Sequence, residues 1–182
     1  MKKDFGNLQF ISVQENLDLL AKPVANMILQ LPDTLEVFVS EIDPTLSDTV
    51  AFCEKYEIPV SKAANCVILE AKRADKSWLA AAVVLASTRA DVNGLIRRTL
   101  DARRVSFAPM EQAVNQSGME YGAITPIGLP FDWTILIDKA VADNDYVIVG
   151  SGLRKSKLLI SGKNLTTLQN VKILENLGLK KE

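Results

Sequence analysis

Residues 65–87 read NCVILEAKRADKSWLAAAVVLAS, and the reading of this stretch decides the fold class. Two apolar runs, NCVILEAK and SWLAAAVVLAS, stand on either side of the charged segment RADK. The second run is rich in alanine, which by propensity alone suits a helix. The turn residues that flank it favour a buried strand, so the pair reads as a hairpin or as two strands with a longer connection.

Working outward toward the N-terminus, residues 8–30 read as a helical opening. Leu17, Leu20, Val24, Met27, Ile28 and Leu31 fall at helical spacing, interrupted by Pro23. Pro32 and Asp33 turn the chain into a strand, TLEVFVSEI. Ser47 is the expected N-cap of a short helix, DTVAFCEKYE, which Ile58–Pro59 ends. On the other side, Asp91 is expected to cap the helix DVNGLIRRTL, followed by a short strand, RVSFA. The helix PMEQAVNQ has Pro109 at its first position and Gly118 beyond its end. WTILID and DYVIVG read as strands around the helical turn KAVADND, and KSKLLI as another strand. NLTTLQNVKILENLGL is expected to be a helix running into a short apolar element. Many strands and short helices without regular βαβ alternation predict an α+β domain.

The 182 residues suffice for one domain with a real core. Hydrophobic residues make up 48% and charged residues 24%, the balance of an ordinary soluble globular protein. No apolar run approaches the roughly 20 residues of a membrane span. The start MKKDFGNLQF lacks the apolar core of a secretory signal, so no membrane partner is expected and the cytoplasm is the expected location. Cys53 and Cys66 have no metal-ligand spacing and read as buried thiols. The chain has no histidine, which excludes Ser–His–Asp and Cys–His catalysis and imidazole-bound zinc. No metal or cofactor is expected. A net charge of −1 lacks the basic excess of a general nucleic-acid binder, leaving only a local basic patch for that role.

One stretch stands apart. SGMEYGAITPIGLP (117–130) holds three glycines and two prolines between hydrophobic segments. It reads either as a connecting loop or as a pocket wall, where main-chain groups meet a ligand that side chains would crowd.

The order IPVSKAANCVIL (58–69), AAVVLASTRADVNGLIRRTLDARRVSFAPMEQAVNQSGMEYGAITPIGLP (81–130), ILIDKAV (135–141) and YVIVGSGLRKSKL (146–158) resembles the YbaK-type aminoacyl-tRNA deacylases. These are relatives of the editing domain inserted in bacterial prolyl-tRNA synthetases. The likeness runs from about Leu35 to Leu168. It implies a single domain with a mixed, largely antiparallel sheet wrapped by short helices, residues 1–30 being an N-terminal helical extension and 31–182 the editing domain. It also implies hydrolysis of the ester joining a wrong amino acid to tRNA, with the aminoacylated acceptor end as partner and an aminoacyl-tRNA synthetase as a second one.

Carried onto this chain, the family's glycine loop becomes Ser117-Gly118 through Gly122-Ala123-Ile124-Thr125-Pro126, its strand-ending aspartate Asp138, and its second glycine turn Gly150-Ser151-Gly152, with Arg154 beyond. Main-chain N–H groups at Gly122 and Ala123 are then candidates to meet a developing oxyanion, each such donor being worth about 2.7–4 kcal/mol. Two departures stand out. Asn65 occupies the register of the family's lysine, exchanging a charged donor (roughly 1.5–3 kcal/mol per hydrogen bond) for a neutral one (about 0.5–1.5). Ala123 replaces a second glycine. Lys62, three residues before Asn65, is the candidate substitute cation. Asp138 reads both as an N-cap with one oxygen to spare and as a group orienting the substrate amine or a water. Arg154 and Lys157 are candidate phosphate contacts, and Tyr121 a candidate stacking platform for the terminal adenine. Arg97, Arg98, Arg103 and Arg104 read as solvated charges near a helix end, and Trp78 and Trp133 as core residues, Trp133 also as a wall of the pocket. Asn65 leaves open an alternative: a module that binds an aminoacyl-adenosine or a related ligand without turnover.

Overall fold

The computed structural model describes residues 2–32, 35–46 and 48–181. In chain order its strands are β1 (Lys2–Phe5), β2 (Leu8–Ser12), β3 (Val37–Glu41), β4 (Ala64–Arg73), β5 (Lys76–Leu85), β6 (Thr88–Ala90), β7 (Arg104–Phe107), β8 (Thr134–Asp138), β9 (Val147–Gly150), β10 (Ser156–Ile160), β11 (Val171–Leu174) and β12 (Gly178–Lys180). Its helices are α1 (Lys22–Ile28), α2 (Thr49–Lys55), α3 (Arg97–Thr99), α4 (Met110–Ser117), α5 (Lys139–Ala142) and α6 (Gly162–Leu165).

The stretch 65–87 forms a hairpin of two ten-residue strands, β4 and β5. Ala64 pairs with Leu85 and Arg73 with Lys76, leaving Ala74 and Asp75 as the turn. β5 is the middle of a sheet ordered β11-β8-β5-β4-β7, in which β4 and β7 run antiparallel to their neighbours and β8 and β11 parallel. Every residue from Leu79 to Leu85 is buried. Leu79, Ala81 and Val83 face one apolar cluster while Ala82 and Val84 face another. Burial on both faces explains a run without alternation, and the small alanines let layers pack close on either side.

The second five-stranded sheet, β1-β2-β3-β10-β9, is antiparallel throughout. Val37, Val39, Leu158 and Ile160 from this sheet share one cluster with Ile68, Ala81, Val83 and Ile137 from the other, so the main core lies between the sheets. The opposite face of the antiparallel sheet, carrying Phe10, Phe38 and Leu159, is covered by Phe52 and Cys53 of α2. The two sheets meet where Ala63, entering β4, bridges Ile148 of β9. The α+β expectation, mostly antiparallel with short helices, holds.

Local expectations fail at both ends. The opening expected as a helix over 8–30 is a β1–β2 hairpin followed by two short 3₁₀ turns and α1. Residues 8–12 bury Leu8 and Phe10 but not Gln9, a period of two. Pro23 does not interrupt a helix. It lies in the first turn of α1, where a missing N–H costs nothing. The opening residues therefore belong to a sheet. At the other end only Gly162–Leu165 is helical, capped by Ser161, whose Oγ accepts from the Asn164 N–H at 3.1 Å. Asn170 and Asn176, both with positive φ, bracket the strand Val171–Leu174. Asp33 and Ser47, expected in a turn and as a cap, lie outside the described residues. Asp48 caps α2, its carboxylate accepting from Val50 and Ala51 at 3.0 and 3.1 Å. Pro109 sits one position before α4 rather than inside it. Asp91 caps as expected, accepting from Gly94 and Leu95 at 3.0 and 2.7 Å, although the first turn it starts is π-helical.

Candidate functional site

The seam between the sheets opens into a cleft of about 760 Å³. One wall is the start of β4, from Ala64 to Ile68. Another is the N-terminal turn of α2, with Asp48, Thr49 and Val50. Tyr121, Gly122, Ile124, Gly150, Arg154 and Lys157 line the far side, and Phe107 and Met110 the mouth.

The glycine segments build that far side. Ser117 ends α4, its hydroxyl accepting from the Met119 N–H at 3.2 Å, and Gly118 caps the helix in the left-handed conformation. The Glu120 N–H donates to the Gly152 carbonyl at 2.8 Å, and the Gly152 N–H donates to the Ala123 carbonyl at 2.9 Å. The 117–130 loop and the 150–152 turn are thus stapled together in both directions. The Glu120 carboxylate accepts from the Arg154 N–H at 2.6 Å, and Ser151 is buried with its hydroxyl bonded to Leu153 and Ser156. A Cβ on Gly150 would lie 2.3 Å from the Ala123 carbonyl oxygen and 2.9 Å from that of Ile124. Only glycine lets the loop rest on β9.

This scaffold corrects part of the expected oxyanion site. The Ala123 N–H is engaged by the Glu120 carbonyl at 3.0 Å, and Ala123 is buried. Gly122, with φ +83°, keeps its N–H without a partner among the described residues, at the cleft wall. One free amide remains where two were expected.

Asn65 points into the cleft from β4. Its Oδ1 accepts from the Thr49 hydroxyl, which leaves the Nδ2 donors for a ligand. Lys62 does not replace the missing charge. Its Nζ donates to Asn144 Oδ1 at 2.7 Å, tying the approach to β4 to the end of α5. Asp138 has no oxygen to spare: Oδ1 accepts from Ala140 at 3.2 Å and Oδ2 from Gly178 at 2.7 Å. It is buried and fastens β12 to the end of β8. Ser117, Gly118, Ala123, Thr125, Pro126, Ser151 and Gly152 stand behind the wall rather than in the cleft. Trp133 is buried in the main core and does not line the cleft. Arg97, Arg98, Arg103 and Arg104 are exposed and away from it.

The cleft is nonetheless cationic. Among the described residues, Arg154, Lys157 and Lys181 line it against one carboxylate, Asp48, which is occupied as a helix cap. Arg154 is exposed and reaches across to the Pro44 carbonyl at 3.2–3.3 Å. Lys157, a candidate phosphate contact, is buried, and that desolvation draws its ammonium below the usual lysine range, against opposing influences from Cys53 and Asp48. Cys66, expected to be buried, is partly exposed and lines the cleft, and desolvation pushes its thiol up to about 12, so it stays protonated. Tyr121 and Phe107 are 61% and 65% exposed, enough to offer a flat face to an incoming ring. Thr49, Phe107, Met110 and Lys181 were not legible as site residues. Nothing in their local sequence marks them, and only the fold brings them together.

Among curated proteins, none matches this sequence. Among solved structures, a candidate trans-editing enzyme for prolyl tRNA synthetase superposes with a TM-score of 0.67 at 15% identity, covering 80% of this chain and 87% of its own. The hypothetical protein APE2540 superposes with a TM-score of 0.74 at 16% identity, covering 87% of this chain and all of its own (100%). At such identities the likeness is one of fold. The family model for the aminoacyl-tRNA editing domain matches residues 43–168, a span that holds every cleft residue named above except Lys181. By that match the chain belongs to the aminoacyl-tRNA editing domain family, the relationship that its resemblance to the YbaK-type proteins implied.

Proposed function

We propose that the cleft hydrolyses the ester between an amino acid and the terminal ribose of tRNA, acting in trans on misacylated tRNA. The observation that carries this reading is the Gly122 N–H, unpartnered among the described residues, at the wall of a cationic cleft in a chain without histidine. An aminoacyl ester is activated, so an oriented water and a donor for the carbonyl oxygen can replace a strong base. Water oxygen bonds to the carbonyl carbon, the bond to the ribose oxygen breaks, and the proton passes to that oxygen. Gly122 faces the carbonyl oxygen as its charge grows, and Asn65 Nδ2 donates to the acyl group. Tyr121 or Phe107 stacks on the terminal adenine, and Arg154 meets the phosphates behind it. The fold shared with a candidate trans-editing enzyme favours action on released tRNA.

The test is a deacylation assay over tRNAs charged with each amino acid. The reading expects hydrolysis of at least one species well above the spontaneous rate. A second reading, a module that binds an aminoacyl end without turnover, is favoured by Asn65, a neutral amide already held by Thr49. Tight binding with no hydrolysis above buffer supports it over the first.

A further inference from the structure

Lys157 is the cleft group with the least explained environment. It lies in β10 with 7% of its surface exposed. Its side chain leaves the sheet on the face that carries Leu159 toward Phe52, and Nζ lies 5.3 Å from the Phe52 ring centroid. No ion pair or hydrogen bond engages it among the described residues. Cys53 and the Asp48 carboxylate favour its charged form only from beyond ion-pair reach. Asp48 is taken up by the Val50 and Ala51 N–H groups, and the adjacent Ser156 is bonded to Ser151. The side chain is not sealed in, because Lys157 is one of the residues that line the cleft. A buried charge without a partner is costly, and an aromatic face offsets only part of that cost. An oxygen brought in by a ligand completes the arrangement.

The sheet register shows which part of the ligand that is. Lys157 pairs with Gly150, and side chains of an antiparallel pair leave the same face. On that face the missing Cβ of Gly150 would meet the carbonyls of Ala123 and Ile124. The loop that presents the Gly122 N–H therefore lies beside the Lys157 side chain. A bulky, hydrated phosphodiester suits the exposed Arg154 at the rim, whereas the floor suits the small acyl end.

We infer that Lys157 donates a hydrogen bond to the carbonyl oxygen of the bound acyl group, acting with Gly122 as a catalytic residue rather than as a phosphate contact. This rests on the ester-hydrolysis reading above. As water bonds to the carbonyl carbon, the π electrons move onto that oxygen, which the ammonium and the amide both face. The bond to the ribose oxygen then breaks and the proton of the water ends on the ribose; the lysine keeps its own. A charged donor at this position strengthens its bond most when the oxygen carries charge.

The experiment compares the wild-type chain with Lys157→Met and Lys157→Arg, using single-turnover deacylation of the tRNA species that the wild type hydrolyses. Lys157→Met should lower the chemical rate at least 100-fold while changing the apparent tRNA affinity less than threefold, and circular dichroism should show it folded. An unchanged rate, or a loss confined to affinity, overturns the inference while leaving the hydrolysis reading intact. If the wild type hydrolyses no tRNA, that reading fails. The contact is then read by calorimetry with adenosine carrying a 3′-linked aminoacyl amide: a tenfold weaker affinity in Lys157→Met supports it, and equal affinity or no binding by either protein overturns it. Lys157→Arg, which keeps the charge but not the shape, should retain more activity than Lys157→Met.

Discussion

Gly150 is the residue on which the site turns, because the loop carrying Gly122 rests where its side chain would be. Gly150→Ala should therefore displace residues 122–124, costing about 1–3 kcal/mol of stability, as overpacking does. It should also reduce deacylation; a variant with wild-type melting temperature and rate would mean that the loop does not depend on this contact. Asn65→Ala removes a neutral donor and should lower the rate by about tenfold, one hydrogen bond's worth. Lys157 makes a different kind of prediction. Its folded-state pKa lies below the unfolded value, so the unfolded chain holds that proton more tightly. The native state is penalised at every pH below the folded value, and the penalty fades as pH rises from there toward the ordinary lysine value of 10.5. At neutral pH Lys157→Met should thus raise the melting temperature even as it removes activity. A fall in melting temperature would show that the ammonium is stabilised within the protein.

At the scale of elements, Asp138 illustrates how a residue with a functional look can be a fastener. It caps α5 and holds the Gly178 N–H. Asp138→Ala should cost roughly 1–3 kcal/mol by leaving a part-buried donor unpaired, while per-molecule activity measured well below the melting temperature stays near wild type. A rate loss of 100-fold without destabilisation would return Asp138 to the chemistry. The hairpin at 65–87 was legible because two apolar runs separated by a charged turn admit few other structures, and most central strands were legible for the same reason. The ends were not. The stripe from Leu17 to Leu31 has helical spacing, but the backbone leaves helical geometry at Asn16 and Leu20, where side-chain spacing carries no signal. Of the candidate site, Gly122, Asn65, Tyr121, Gly150, Arg154 and Lys157 do line the cleft. Whether a loop amide is free, however, depends on hydrogen bonds such as Ala123 to Glu120, which no local pattern encodes.

On the scale of the whole molecule, β1 and β2 complete the antiparallel sheet rather than extend from it. Deleting residues 1–12 strips fully buried Phe10 from the cluster that α2 covers. Removing such a side chain alone costs about 3–5 kcal/mol, so the truncated chain should be unfolded or aggregated by circular dichroism and size-exclusion chromatography; a folded, active truncation would contradict the sheet assignment. If the cleft takes tRNA as proposed, affinity should fall with salt as a few phosphate contacts are lost. The account as a whole requires a peptide N–H, rather than an imidazole or a metal, to receive the acyl oxygen. The most direct measurement is a crystal structure with adenosine bearing a 3′-linked aminoacyl amide. The account predicts the acyl carbonyl oxygen within hydrogen-bonding distance of the Gly122 nitrogen, with the adenine against Tyr121 or Phe107. A ligand whose carbonyl lies away from Gly122, or a Gly122 N–H already bonded within the protein, would contradict it.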